Sequence, residues 1–277
     1  MANSPLYQIP FDLDILLGET MKAASRTAFF REAVGGRSSI RSIKEFKQLP
    51  ITSIDEYRKQ RIADVVTNLS QIQWIAGAYR GQQDNMIPLA ESTADTSARY
   101  DIIRDAVLSA LPSRIARTAA VLTGTKRRFF GAEVAAILGY HGIPTHLFID
   151  NSTADQWARI SLLTPSILVI LTEHIDEERI PESTELCITF RHMHHLNSVP
   201  QLDMYLVDEI GVLAHSTDQK VWVPYNDLYY FEQTTKNDLV VTSIRSRLRP
   251  ILRMRVTDNI KQINSHTIIP SMLSEFG

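Results

Sequence analysis

The sequence predicts an α/β fold, in which a mostly parallel sheet of βαβ units carries helices on both faces and is followed by a smaller mixed or antiparallel β region. Two observations predict it. Between residues 118 and 207, short β-branched runs alternate with helical segments, which is the pattern of βαβ units. Beyond Gly211, short strand-like segments follow one another with few helices between them, which favours antiparallel or mixed pairing.

The first sixty residues read as a helical arm. Apolar residues recur at helical spacing over residues 11–34, where a pair of glycines ends the run. A short helix follows Ser42 and stops at Pro50, and another begins after Ser53. The spacing of Ser53 and Glu56 predicts a capping box, in which each side chain accepts from a backbone N–H of the same helix start.

The strands are predicted from β-branched runs bounded by turn residues. We expect a strand pair over 71–78 and 86–91, then strands over 118–122, 144–149, 166–171, 185–190 and 203–207, with helices over 131–140 and 153–163. Later strands are expected over 212–216, 220–224, 229–233, 239–244 and 251–256. These elements predict one compact unit made of a helical arm (1–60), an α/β core (61–211) and a β-rich subdomain (212–277).

The composition excludes several classes of function. A formal charge of −2, from 29 basic and 31 acidic side chains, gives no overall field that would draw the protein to nucleic acid or an anionic membrane. Cys187 is the single cysteine, so we expect no internal disulfide, no multi-thiolate zinc site and a reducing compartment. The start of the chain lacks a signal-peptide pattern, and no apolar run approaches the ~20 residues of a membrane span. A cytoplasmic location is expected.

Three segments together resemble the phenylacetate–CoA ligase branch of the adenylate-forming enzymes, which join a carboxylic acid to AMP and then to a thiol. Residues 46–58 read FKQLPITSIDEYR, residues 203–213 read DMYLVDEIGVL, and residues 238–258 read DLVVTSIRSRLRPILRMRVTD. The first is similar to the family's "LP-x-T" turn before a short helix. The resemblance covers residues 28–260 and implies the fold of the large N-terminal domain of these enzymes, with ATP or AMP and Mg²⁺ as cofactors.

The second segment resembles the family's "YG-S-T-E-x-G" turn, with Tyr205, Glu209 and Gly211 in register. By this resemblance the Tyr205 ring would stack near the adenine. Glu209 would help to hold Mg²⁺ on the phosphates, a role that suits a hard carboxylate oxygen. Asp208 stands where the family has threonine, and we include it among the candidate nucleotide contacts.

The third segment resembles "G-E-L-V-V-T … P-L-I-R-Y-R-x-G-D" and keeps the spacing of Pro250, Arg253, Arg255 and Asp258. The resemblance implies that Asp258 accepts hydrogen bonds from the ribose hydroxyls, as an acceptor-only carboxylate can. Arg253 joins it in the candidate nucleotide-binding set. Thr257 replaces the family's adjacent glycine.

Other positions depart from the family. Its phosphate loop, "S-G-T-T-G-K-P", corresponds to residues 77–83, GAYRGQQ, where only Gly81 aligns and Arg80 is the sole cation. The chain also ends 19 residues after Asp258, whereas the family continues with a small domain that carries a catalytic lysine. We therefore expect a degenerate domain that binds a nucleotide, acyl-adenylate or carboxylic acid. Its acid activation would be weak, or would depend on a partner that supplies the missing lysine. A carrier protein is the alternative protein partner.

Two other functions stay open. The chain is alternatively a non-catalytic interaction or regulatory subunit that keeps the fold as a scaffold, or a still-active acid–thiol ligase. The candidate residues also have simpler interpretations: Glu209 as an exposed loop acid, Tyr205 as a packed ring, Asp258 as an ion-pair partner of Arg253 or Arg255, and Arg80 with Gly81 as an ordinary hairpin turn.

Remaining polar and charged clusters have mainly structural interpretations. His192 and His194 would share one face of an extended segment and suit a transition metal, but loop histidines are usually solvated. The run 126–128 (KRR) is expected to be a solvated charge cluster. Alternating Arg245, Arg247 and Arg249 predict a basic strand edge that resists strand addition. Cys187 is expected to be a buried small hydrophobe.

Overall fold

A computed structural model describes residues 12–270 except 73, 80–85, 114, 116, 125–127, 150–153, 173–174, 191–195, 208, 246–247 and 265. For residues 74–79, 86–89, 129, 257–259 and 270 it describes the backbone alone. The chain divides into two compact units. The first comprises Met1–Ile75, Leu89–Ala98 and Lys220–Gly277, and the second comprises Ala76–Pro88 and Arg99–Gln219. The three-part division into 1–60, 61–211 and 212–277 stays a prediction.

The described α-helices are α1 (Leu13–Ala24), α2 (Ala28–Ala33), α3 (Ile43–Phe46), α4 (Ile54–Tyr57), α5 (Ile62–Val65), α6 (Thr93–Ala110), α7 (Arg128–Tyr140) and α8 (Ala154–Leu162). The described strands are β1 (Thr52–Ser53), β2 (Trp74–Tyr79), β3 (Met86–Glu91), β4 (Ala119–Thr123), β5 (Thr145–Ile149), β6 (Ile167–Leu171), β7 (Leu186–Phe190), β8 (Gln201–Val207), β9 (Gly211–Ser216), β10 (Val223–Pro224), β11 (Tyr229–Gln233), β12 (Asp238–Ser243), β13 (Met254–Ile263) and β14 (Ile268–Pro270).

The second unit contains the predicted parallel sheet, with strand order β9-β8-β7-β6-β4-β5. All neighbouring pairs in this order are parallel except β8 and β9, which are antiparallel. The β4 and β6 strands are fully buried, as expected for strands that are covered on both faces. The carboxyl ends of β4, β6, β7 and β8 therefore lie at one edge of the sheet, where α/β proteins commonly bind ligands.

Helices cover both faces of this sheet, as predicted. On one face, Gly131 of α7 lies against Thr123 and Leu147, close enough that an added Cβ would meet the Thr123 Cγ2 atom at 2.9 Å. On the other face, Trp157 and Ile160 of α8 join a buried cluster with alternate residues of β4 and β6. This alternation of strand residues between two helical layers confirms the α/β fold class.

The first unit contains a mixed sheet with strand order β1-β13-β12-β11, in which β14 also pairs with β13. The β1 strand is parallel to β13, and the other described pairs of this sheet are antiparallel. Helix α1 is fixed to this unit because the Thr20 hydroxyl donates to the Ser243 carbonyl at 2.8 Å. The β-rich character predicted after Gly211 is thus confirmed. A separate two-stranded sheet pairs β2 with β3.

Four local expectations need correction. The helical arm is two helices rather than one, because Thr27 caps α2 by accepting from the Phe30 N–H. Ser53 accepts from Asp55 instead of Glu56, and no described bond from Glu56 completes a capping box. The strand expected over 220–224 is confined to Val223–Pro224.

The fourth correction concerns the predicted basic strand edge. Beyond Ser243 the described backbone leaves the strand, and Arg249 is 3% exposed with its guanidinium donating to the Tyr57 hydroxyl at 3.1 Å. Its charge is therefore part of the interior of the first unit, while Arg247 lies outside the described residues. No helix within the described ranges is long and apolar enough to cross a membrane.

Candidate functional site

Strand β8 and the turn that follows it carry the described part of the second family-like segment. Tyr205 is half-buried near the carboxyl end of β8, at a register shift between β8 and β9. The Ile210 N–H donates to the Val207 carbonyl at 2.9 Å and closes the turn. Gly211 then has φ 115°, a conformation that side-chain-bearing residues rarely adopt, which explains why a glycine stands there.

Glu209 lies in this turn and is 0% exposed, so it is not the solvated loop acid of the simpler interpretation. A carboxylate oxygen has the right chemistry for Mg²⁺, which needs only one or two protein carboxylates beside phosphate oxygens and water. Glu209 therefore has suitable chemistry to hold the ion, although its side chain is fully buried. Among the described residues no group of three or more histidine, cysteine, aspartate or glutamate side chains forms a metal-binding cluster.

A buried polar network, which was not predicted from the sequence, lies beside Tyr205. Asp203 is 0% exposed and faces the same side of β8 as Tyr205, because strand side chains alternate. It accepts from the Thr189 hydroxyl at 3.1 Å and from the Gln219 amide at 3.4 Å. Gln201 in turn donates to Thr189 Oγ1 at 2.6 Å. These bonds tie β7 and β8 together next to the candidate site and hold the strand that presents Tyr205.

The opposite face of the same sheet contains a buried ion pair, which was also not foreseen. Arg99 of α6 lies 2.5 Å from Glu133 of α7, and their side chains are 7% and 3% exposed. A cavity of about 10 Å³ lies beside Arg99 and is otherwise lined by apolar residues such as Phe130, Phe190 and Met204. This is room for about one water molecule, so this layer of the second unit is closely packed.

In the first unit, two of the family-like segments are joined by hydrogen bonds. The β1 strand pairs with β13 in parallel register, with Thr52 opposite Met254. The Thr52 N–H donates to the Arg253 carbonyl at 2.8 Å, and its hydroxyl donates to the Leu252 carbonyl at 2.8 Å. The "LP-x-T" turn and the later part of the third segment are thus one bonded structure, although 200 residues separate Thr52 from Leu252 in sequence.

Arg253 sits at the centre of this structure. Its guanidinium donates to both carboxylate oxygens of Glu232, at 3.0 and 3.1 Å, and to the carbonyls of Lys47 and Leu49. The residue has φ 41° and directly precedes β13, which starts at Met254, three residues later than expected. The arginine is 7% exposed, so its described contacts are structural. Its predicted contact with a nucleotide stays a prediction.

Asp258 lies in β13 at an irregularity of the sheet. Val256 is paired with Leu239 and Asn259 with Asp238, so β13 has two extra residues, Thr257 and Asp258, between these pairs. Bulges of this kind re-aim side chains and are frequent next to active sites. Arg255, one of the proposed ion-pair partners of Asp258, lies 3.9 Å from Asp238. Its pairing with Asp258 stays a prediction, because the Asp258 side chain lies outside what the structure describes.

Several candidate residues lie outside the part of the chain that the structure describes. They are Arg80, Gly81, Asp208, the run 126–127, and the histidines His192, His194 and His195. The side chain of Asp258 belongs with them. The described site residues therefore fall into two groups, Tyr205 with Glu209 in the second unit and Arg253 in the first. Cys187 is fully buried, and burial raises the pKa of its thiol to about 12, as expected for an inert core residue.

No protein-family profile matches the sequence, and no curated protein matches it. Solved structures of adenylate-forming enzymes share the fold. A 2-hydroxyisobutyryl-CoA ligase in complex with 2-HIB-AMP and CoA matches with a TM-score of 0.67 at 12% identity, over 92% of this chain and 67% of its own. The acyl acid amido synthetase AtGH3.15, in complex with 2,4-DB, matches with a TM-score of 0.57 at 10% identity, over 93% of this chain and 66% of its own.

A third similar structure is VinN in complex with L-aspartate, with a TM-score of 0.51 at 10% identity over 70% of this chain and 59% of its own. The chain thus spans roughly two thirds of the length of the first two structures. At such low identity the likeness establishes the fold of the N-terminal domain of adenylate-forming enzymes. The phenylacetate–CoA ligase branch stays a prediction.

Proposed function

We propose that this chain is an adenylate-forming, acyl-CoA synthetase-like domain that binds a nucleotide, an acyl-adenylate or a carboxylic acid. The observation that carries the proposal is the combination of this fold with the three segments that resemble the family. Two of these segments are bonded to each other through Thr52 and Arg253. The remaining one, residues 203–213, contributes Tyr205 and Glu209 at the edge of a mostly parallel sheet, where ligands commonly bind.

In this proposal each candidate residue contacts a particular part of the nucleotide or its metal ion. Tyr205 offers a half-buried ring for the adenine, and Asp258, whose backbone lies at the irregularity of β13, would accept hydrogen bonds from the ribose hydroxyls. Glu209 would supply one carboxylate oxygen to Mg²⁺. Arg80 and the Gly81 N–H would contact the phosphates.

Acid activation is proposed to be weak or to depend on a partner protein. The loop 77–83 lacks the lysine and the serine and threonine hydroxyls that would wrap the phosphates. In addition, Leu206, Val207 and Asp208 replace the family's glycine, serine and threonine. Losing one preorganised donor to a developing charge commonly costs ~10²–10³ in rate. A partner that supplies a lysine would provide this electrostatic stabilisation, whereas a carrier protein would act as the thiol acceptor.

Calorimetric titration with AMP, ATP and a non-hydrolysable acyl-adenylate analogue tests the nucleotide part. We expect the analogue to bind most tightly, because it fills both the nucleotide and acid positions. Asp258→Asn should weaken binding of all three, since an amide is a poorer acceptor for ribose hydroxyls. Asp12→Asn is a matched control, because Asp12 is exposed and its side chain caps no helix. Absence of heat at millimolar ligand would refute the proposal.

Acid-dependent exchange of pyrophosphate into ATP tests activation. Over a panel of aromatic and aliphatic acids, we expect exchange that is near background for the isolated chain. Exchange at the level of a full ligase would favour the active acid–thiol ligase instead. Ligand binding without exchange would fit the degenerate domain. An inert chain that nevertheless co-purifies with a larger ligase would favour the regulatory subunit.

A further inference from the structure

A cleft of about 690 Å³ opens in the first unit between helix α2 and the segment that runs from Pro50 through α5. Phe29 and Ile51 give it apolar walls, and Ile51 is 42% exposed. Glu32, Glu56 and Asp64 also line it. None of its lining residues is among those predicted to contact a nucleotide, so the cleft is separate from the proposed nucleotide-binding residues.

The charge of the lining is one-sided. It contains three carboxylates and no lysine or arginine. Asp64 already pairs with Arg61, at 2.8 Å. Glu32 and Glu56 are exposed, and within the described ranges neither makes an ion pair or a side-chain hydrogen bond. Two carboxylates next to apolar walls therefore remain available to a cation from outside.

The walls of the cleft are held in place before any ligand arrives. Thr52 lines it and is fixed by its hydrogen bonds to the Leu252 and Arg253 carbonyls. The Phe29 ring packs edge-on against Tyr57, with ring centroids 5.6 Å apart. A cleft with fixed walls loses little conformational freedom on binding, which favours affinity.

We propose that this cleft docks a basic segment of a protein partner, with arginine side chains on Glu32 and Glu56 and an aliphatic side chain against Phe29 and Ile51. Charge complementarity selects this occupant over an acidic or purely apolar one. Arginine fits best, because its planar guanidinium binds carboxylates in a bidentate way and also stacks on aromatic rings. The open cleft admits a chain that lies along the surface.

A fluorescein-labelled peptide, Gly-Arg-Leu-Arg-Gly, tests the proposal by fluorescence anisotropy with the full chain. We expect saturable binding that weakens as salt rises, because the contacts are exposed ion pairs. Glu32→Gln with Glu56→Gln should weaken binding roughly tenfold, as two exposed ion pairs are lost. Ile51→Ser should weaken it independently. Glu182→Gln, an exposed acid of the second unit, is the matched control and should change nothing.

The substituted side chains are exposed, so we expect unchanged urea midpoints, which separates lost docking from lost folding. The proposal is overturned if the peptide fails to bind at roughly millimolar concentration. It is also overturned if a Gly-Glu-Leu-Glu-Gly peptide binds equally well, or if the double variant keeps wild-type affinity. The outcome is independent of nucleotide binding, because the two experiments use different ligands and different substitutions.

Discussion

Removing the Arg253 guanidinium should destabilise the first unit more than any change to the exposed charges around it. The variant Arg253→Met keeps most of the aliphatic stem but leaves the Glu232 carboxylate, 8% exposed, without its cation. It also removes the donor to the Lys47 and Leu49 carbonyls. Breaking a buried ion pair on one side typically costs about 3–5 kcal/mol, and we expect a loss in that range.

Arg255→Met is the matched control for this substitution. Arg255 is two residues further along, its side chain is 50% exposed, and it lies 3.9 Å from Asp238. A pair of this kind contributes about 0–1 kcal/mol. The double variant Arg253→Met with Glu232→Leu should recover part of the loss, because an apolar pair of similar volume often replaces a buried ion pair without penalty.

The measurement is urea unfolding followed by the fluorescence of Trp222, which is 1% exposed and belongs to the same unit. Trp74 and Trp157 are replaced by phenylalanine in every variant, so that the signal reports this unit alone. A loss below about 1 kcal/mol for Arg253→Met, or one equal to that of Arg255→Met, would show that the buried pair does not stabilise the unit.

Other predictions concern the second unit. Gly131→Ala should destabilise the protein by about 1–3 kcal/mol, because the new Cβ would meet the Thr123 side chain at 2.9 Å. Gly139→Ala in the same helix has open space around the new Cβ and should stabilise the protein by up to about 1 kcal/mol. The urea unfolding midpoints of the two variants test this difference. Burial lowers the pKa of His215 from 6.5 to about 4, so the unfolded chain takes up the proton first as pH falls. The free energy of unfolding should therefore fall by about 2 kcal/mol between roughly pH 7 and 5. It should fall less over the same range in the His215→Gln variant, and urea unfolding at the two pH values measures the difference. The Cys187 thiol, with its pKa near 12, should not react with a disulfide reagent such as DTNB in the native protein but should react in urea. Rapid labelling of this thiol in the native protein would contradict its burial.

The fold was largely predictable because buried parallel strands read as short apolar runs. The segments 118–122 and 166–171 match β4 and β6 within a residue or two. The break at Thr27 was missed, because apolar spacing continues through it and the helix start depends on one hydroxyl. The prediction that Arg249 lies on a strand edge was wrong for a related reason. Its alternation with other arginines suggested a strand, whereas its buried contact with Tyr57 comes from a segment far away in sequence.

The positions of candidate site residues were predictable only where a local sequence motif defines them. The sequence predicts Tyr205 and Glu209 in a strand and the turn that follows it, and the structure has Tyr205 near the end of β8 and Glu209 in the next turn. The bonds of Asp203 to Thr189 and of Arg253 to Glu232 were not foreseen. Each depends on how separate strands align with one another, which periodicity along a single segment does not reveal.

The parallel pairing of β1 with β13 bears on the order of events during synthesis. Thr52 finds its partner 200 residues later, and Thr20 finds its partner 223 residues later. While a ribosome is still making the middle of the chain, the helical arm has no sheet to bury its apolar face. Contacts so distant in sequence slow folding, and exposed apolar helices attract chaperones or other nascent chains in the meantime. The first unit should therefore be the last to mature, even though most of its helices emerge first.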